Sequence, residues 1–99
     1  MMRTVMSKTE IEVSLKELDG WKMIHEDGIF KLSREFCFNN FSEAWAFMSR
    51  VALLAEKLNH HPNWSNVYKK LDIVLFSHDV AGVAQIDIQM AERINSLLS

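Results

Sequence analysis

The chain has 99 residues, 48% hydrophobic and 24% charged, with a net charge of −2 and one cysteine. Such a length accommodates one domain near the lower limit of surface burial, so association with further copies would help to cover its apolar share. There is no basic excess to displace counterions from nucleic acid, no apolar run near the ~18 residues of a membrane span, and no apolar signal core in the opening MMRTVMSKTE.

In chain order, the first predicted element is a short helix over residues 8–18. Ser7 stands at its N-cap with Glu10 three residues later, the pairing of a capping box. Ile11, Leu15 and Leu18 share one face, and Gly20 supplies the stop. Asp27-Gly28 then predicts a two-residue hairpin turn with positive φ, flanked by strands over residues 21–26 and 29–38. Phe30, Leu32, Phe36 and Phe38 alternate onto one face of the second strand, and Arg34 interrupts them. Cys37 falls in the same pattern and reads as a packed thiol. Being alone, it cannot close an intramolecular disulfide, which fits a reducing compartment, the cytoplasm and also the nucleus.

The segment FSEAWAFMSRVALLAEKLN is expected to form a long helix, with Asn40 as N-cap and Glu43 completing the box. Phe41, Ala44, Trp45, Met48, Val51, Ala52, Ala55 and Leu58 form an apolar stripe. Phe47, Leu53 and Leu54 widen it past the usual ~100°. One sheet covers only part of such a helix, so the remainder is expected to pack on another subunit. Pro62 biases His61 toward extended backbone, which ends the helix near Asn59 or His60. Residues 67–76 alternate again, as one strand or as two joined near KKLD. Gly82 marks a loop, and residues 84–98 place Ile86, Met90, Ile94 and Leu97 on one side of a last helix. The order α-β-β-α-β-β-α predicts a single α+β domain: a four-stranded antiparallel sheet with helices packed on one face.

The candidate chemistry lies in EKLNHHPNW, which puts His60 and His61 at a helix end, and in His78 at a strand end. Imidazole gives and takes protons near neutral pH, so two or three around one small molecule suit general acid–base catalysis. Glu56 precedes His60 by four residues, which on a helix shares a face and would let the carboxylate orient that ring. Other readings stay open. The His-His pair can simply cap helix carbonyls and favour the negative end of the dipole. Three histidines can also hold zinc, although adjacent ones diverge and no Cys or acidic partner repairs the spacing. Trp21, Trp45 and Tyr68 read as packing residues, His25 as surface, and Trp64 as a support for the histidine loop.

Glu56, His60, His61, Pro62, Tyr68, His78 and Asp87 reproduce the spacing E-x3-H-H-P-x5-Y-x9-H-x8-D. This pattern resembles the pterin-4a-carbinolamine dehydratases. RVALLAEKLNHHPNWSNVY and SHDVAGV extend the similarity over essentially the whole chain from about Ser7. The resemblance implies dehydration of 4a-hydroxytetrahydrobiopterin to quinonoid dihydrobiopterin, a step in recycling tetrahydrobiopterin. It implies no metal and no bound cofactor, the pterin itself being the substrate. It assigns His60, His61 and His78 to catalysis, with His60 and His78 transferring protons and His61 holding the pterin and the leaving hydroxyl. Asn59, His60, His61, Phe76, Ser77 and His78 would line the pocket, and Glu56 and Asp87 would orient the rings. Asn59 replaces a common Asp, Phe76 a small hydroxyl residue, and Ala84 a Ser cap. Homotetramers or dimers are implied, with the long helix in a four-helix bundle. Animal members also act as dimerisation cofactors for a homeodomain transcription factor, so an interaction scaffold is the rival reading.

Overall fold

The computed structural model describes residues 3–98. Its elements are α1 (Lys8–Leu15), β1 (Lys22–Glu26), β2 (Ile29–Cys37), α2 (Phe41–Leu58), β3 (Asn63–Val67), β4 (Lys70–Leu75), a 3-10 turn (His78–Val80) and α3 (Gln85–Ser96). The strands form one antiparallel sheet in the order β1-β2-β4-β3. This is the α+β arrangement that the alternation of periods predicts.

Period-two alternation points Leu32 and Phe36 of β2, and Leu71, Ile73 and Leu75 of β4, toward the helices, where all five are buried. Ala44, Phe47, Met48, Val51 and Ala55 of α2 meet them, with Ile88, Met90, Ala91 and Ile94 of α3 and Ile11 of α1. Burying a side chain of Leu, Ile or Phe size contributes about 1.5–3 kcal/mol, so this single layer dominates the stability. Among the described residues no helix is long and apolar enough to cross a membrane.

Both predicted N-caps form. Ser7 Oγ accepts from the Glu10 N–H at 3.2 Å, and the Glu10 carboxylate accepts from the Ser7 N–H at 2.8 Å. Asn40 Oδ1 accepts from the Glu43 N–H at 2.9 Å, but Glu43 does not complete the expected box: its carboxylate accepts from the Asn39 N–H at 3.0 Å instead of the Asn40 N–H. The first helix is shorter than expected: α1 stops at Leu15, and Lys16, Glu17 and Leu18 continue as turns bonded three residues back. Leu18 is nevertheless buried. Arg34 has a structural task. Its guanidinium donates to the Asp19 carbonyl and to Asn95 Oδ1, both at 2.6 Å, and lies 4.7 Å from the Phe36 ring. It thereby clamps the segment after α1 to α3. Gly20 serves this clamp, since its φ is +81° and a β-carbon there would lie 2.5 Å from Arg34 Cζ.

Four expectations change. Of the two alternatives for the second alternating segment, two strands form, but they begin earlier than the expected residue 67. β3 starts at Asn63, directly after the proline, and the chain reverses at Tyr68, whose φ is +53°. The Asn66 side chain ties that turn by donating to the carbonyls of Tyr68 and Lys70. Cys37 is exposed, not packed: it pairs with Lys70, and the pleat that buries Phe36 sends the next side chain to the outer face. The wide stripe of α2 divides. Leu54 and Leu58 pack against the core, whereas Phe41, Trp45 and Leu53 are 46%, 56% and 73% exposed. Trp45 is therefore no core residue.

Candidate active site

The site is built where α2 ends. Asn59 takes the left-handed conformation, φ 50° and ψ 45°, and the His60 N–H reaches back to the Ala55 carbonyl at 3.1 Å. This helix ending reverses the chain abruptly. It aims two consecutive side chains in opposite directions, His60 inward and His61 outward. Pro62 then starts β3 and removes the option of continuing the helix.

His60 is buried, and its Nε2 lies 2.5 Å from Asp87 Oδ1. Asp87 is wholly buried in the first turn of α3. Its Oδ2 accepts from Ser77 Oγ and from the Ala84 N–H, each at 2.9 Å. A carboxylate only accepts, so Nε2 of His60 carries the hydrogen and Nδ1 is bare in the neutral ring. Asp87 also supplies the half of a helix cap that Ala84, lacking a side-chain oxygen, cannot return. His61 is exposed, and its Nε2 lies 2.5 Å from Glu56 Oε2. The helical spacing had paired Glu56 with His60. Because the helix stops before His60, the carboxylate instead meets His61, and His60 finds Asp87 across the fold.

His78 opens the 3-10 turn after β4. Its ring packs on Phe76 with centroids 4.3 Å apart and 49° between planes. Neither ring nitrogen is hydrogen-bonded among the described residues. Phe76 is held from another side by Lys31, whose Nζ is 4.5 Å from the ring centroid and 3.5 Å from Glu26.

His60, His61 and His78 thus border one open cleft of about 410 Å³, with Arg3, Asn59, Pro62, Asn63, Phe76 and Asp79 completing the lining. That volume suits a small-molecule ligand. Five of the six expected pocket residues are there. Ser77 is the exception: it is fully buried, its hydroxyl serves Asp87, and its backbone N–H and carbonyl both bond Gly82. Arg3, Asn63 and Asp79 escaped the sequence reading. Asp79 neighbours His78 and could have been found from that, but Arg3 lies 75 positions away from it, with nothing local to mark it. Among the described residues, no three His, Cys, Asp or Glu side chains are grouped to hold a metal ion. The two paired imidazoles turn to separate carboxylates instead.

Fold and site together define a small α+β domain with a histidine-lined cleft, two of whose rings are fixed by carboxylates. Comparison with known proteins gives this class a family. The family model described as "Pterin 4 alpha carbinolamine dehydratase" matches residues 4–97, and the chain belongs to that family. It is 50% identical over 95 residues to a Mesorhizobium japonicum protein assigned by name to the same family, covering 96% of this chain and 95% of that one. A Chelativorans protein assigned likewise is 44% identical over 96 residues, covering 97% and 96%. The crystal structure of a transcriptional coactivator/pterin dehydratase from Brucella melitensis superposes with a TM-score of 0.89 at 40% identity, covering 97% of this chain and all of that one.

Proposed function

We propose that the chain dehydrates 4a-hydroxytetrahydropterins, 4a-hydroxytetrahydrobiopterin among them, to the quinonoid dihydropterin by histidine acid–base catalysis. The observation that carries this reading is the convergence of His60, His61 and His78 on one cleft. The reaction needs two proton movements. The hydroxyl on C4a takes a proton and leaves as water, breaking the C4a–O bond. The adjacent ring nitrogen closes the C=N bond and gives its proton to a base. His60 suits the base, since Nδ1 is bare and the buried Asp87 carboxylate stabilises the imidazolium that forms. His78, with no competing hydrogen bond, delivers the proton to the hydroxyl. His61, oriented by Glu56, holds the substrate at the mouth.

Stopped-flow measurement of carbinolamine dehydration on wild type and His60→Ala tests the assignment. General acid–base catalysis predicts a loss of about 10²–10⁴-fold, and equal rates would remove it. The second reading is an interaction protein. It rests on the exposed Phe41, Trp45 and Leu53 of α2, and on the coactivator description of the Brucella protein. The two readings are compatible, because the α2 surface and the cleft are lined by different residues. An α2 face of this kind suits a homo-oligomeric seam.

A further inference from the structure

The segment preceding α1 is fastened to the loop that carries His78. The Met6 N–H donates to the Val83 carbonyl at 2.7 Å. Val5 lies over Gly82 so closely that a β-carbon there would come within 2.7 Å of its Cγ2. Gly82 is in turn bridged to Ser77, whose N–H donates to the Gly82 carbonyl at 2.7 Å. Residues 3–6 therefore form a strap anchored beside His78. The strap delivers Arg3 to the wall of the cleft, where Nη1 lies 3.4 Å from Asp79 Oδ1.

At 3.4 Å this ion pair is loose, and its side chains are 36% and 54% exposed. Such a pair adds little stability. Its chemistry is of more consequence. A guanidinium presents five N–H donors in a rigid fork, and the structure engages only one of them, with Asp79. Asp79 keeps its other oxygen as an acceptor. Among the described lining residues Arg3 is the one Lys or Arg. Donor fork and acceptor stand side by side at the rim, next to the histidines rather than among them.

We infer that Arg3 and Asp79 form a clasp that reads the substituent of the bound ring system and selects a neutral side chain bearing hydroxyls. A hydroxylated arm satisfies both partners, its oxygen accepting from Arg3 and its O–H donating to Asp79. An anionic substituent would pair with Arg3 but meet the Asp79 charge. A bare alkyl group would displace water and leave both unsatisfied, which a site built for hydrogen bonding rejects. This inference rests on the pterin reading of the cleft. It adds which pterins are preferred and assigns Arg3 a binding role.

The test compares carbinolamines of 6-(1,2-dihydroxypropyl)- and 6-methyl-tetrahydropterin on wild type, Arg3→Ala and Arg3→Lys. Arg3→Ala should raise KM for the dihydroxypropyl substrate about 5–10-fold, the size of one ordinary lost hydrogen bond at a solvent-exposed rim, the loss falling on KM rather than kcat. Its KM for the methyl substrate should fall, since the guanidinium that the alkyl arm leaves unsatisfied is gone, and Arg3→Lys should recover part of the loss on the diol. Equal effects on both substrates, or none on either, would overturn the clasp while leaving the dehydratase reading intact. A phosphorylated C6 substituent that binds the wild type more tightly than the diol would overturn the neutral selectivity. Wild type inactive toward both substrates would instead overturn the dehydratase reading, and the clasp with it.

Discussion

Asp87 holds more of the site together than any of the three histidines. Its two oxygens receive the His60 ring, the Ser77 hydroxyl and the Ala84 N–H from three separate segments. Asp87→Asn puts a donor where at least one of these donors must be received. Leaving such a buried group unsatisfied costs about 1–3 kcal/mol, which urea denaturation would read as a lower midpoint at unchanged slope. On the proposed mechanism the same variant should slow dehydration at saturating substrate, because an imidazolium formed on His60 would lose its counter-charge. A second residue-scale prediction concerns Glu10. The Ser7 backbone N–H, and then its hydroxyl, hold this carboxyl below the ordinary glutamate value of 4.5. A depressed folded-state pKa stabilises above the unfolded value and is lost as pH falls through the folded one. NMR titration should therefore show Glu10 protonating below 4.5, with the first turn of α1 loosening over the same range. A Glu10 midpoint at or above 4.5 would contradict the capping box.

At the scale of elements, the end of α2 determines where the histidines go. Asn59 occupies left-handed backbone, which Asn tolerates and a residue with a plain β-carbon resists. Asn59→Ala should cost about 1 kcal/mol, and Asn59→Gly should be neutral or slightly stabilising. Thermal melts of the pair would show it, and Gly melting as low as Ala would refute the argument. The expected pairing of Glu56 with His60 failed for the same local reason. Helical spacing predicts neighbours only while the helix lasts, and here it ends at Leu58, two residues too soon. Arg34 teaches the converse. It looked like a flaw in the β2 pattern because its hydrogen-bond partners, Asp19 and Asn95, lie outside that strand.

For the whole molecule, the open question of stability is the outer face of α2. Phe41, Trp45 and Leu53 are large apolar side chains exposed on one helix, and contiguous patches of this kind mark interfaces. Sedimentation of the wild type should give a multiple of the chain mass, and Leu53→Glu should reduce it. Leu54→Glu should instead damage folding, because Leu54 packs against the core. A wild type that sediments as a single chain would reject the interface.

The order of elements, the two N-caps and most of the apolar faces were legible in the sequence, because each rests on contacts within a few residues or on a simple period; the spacing of the histidine motif was legible only through its resemblance to a family. The depth of His60, its partnership with Asp87, the outward turn of His61, the withdrawal of Ser77 from the cleft and the arrival of Arg3 were decided by tertiary structure alone. Each depends on a direction in space that the reversal at Asn59, the sheet register and the strap across Gly82 impose on side chains far apart in the chain. Local chemistry supplied the functional groups, and packing determined which of them face one another.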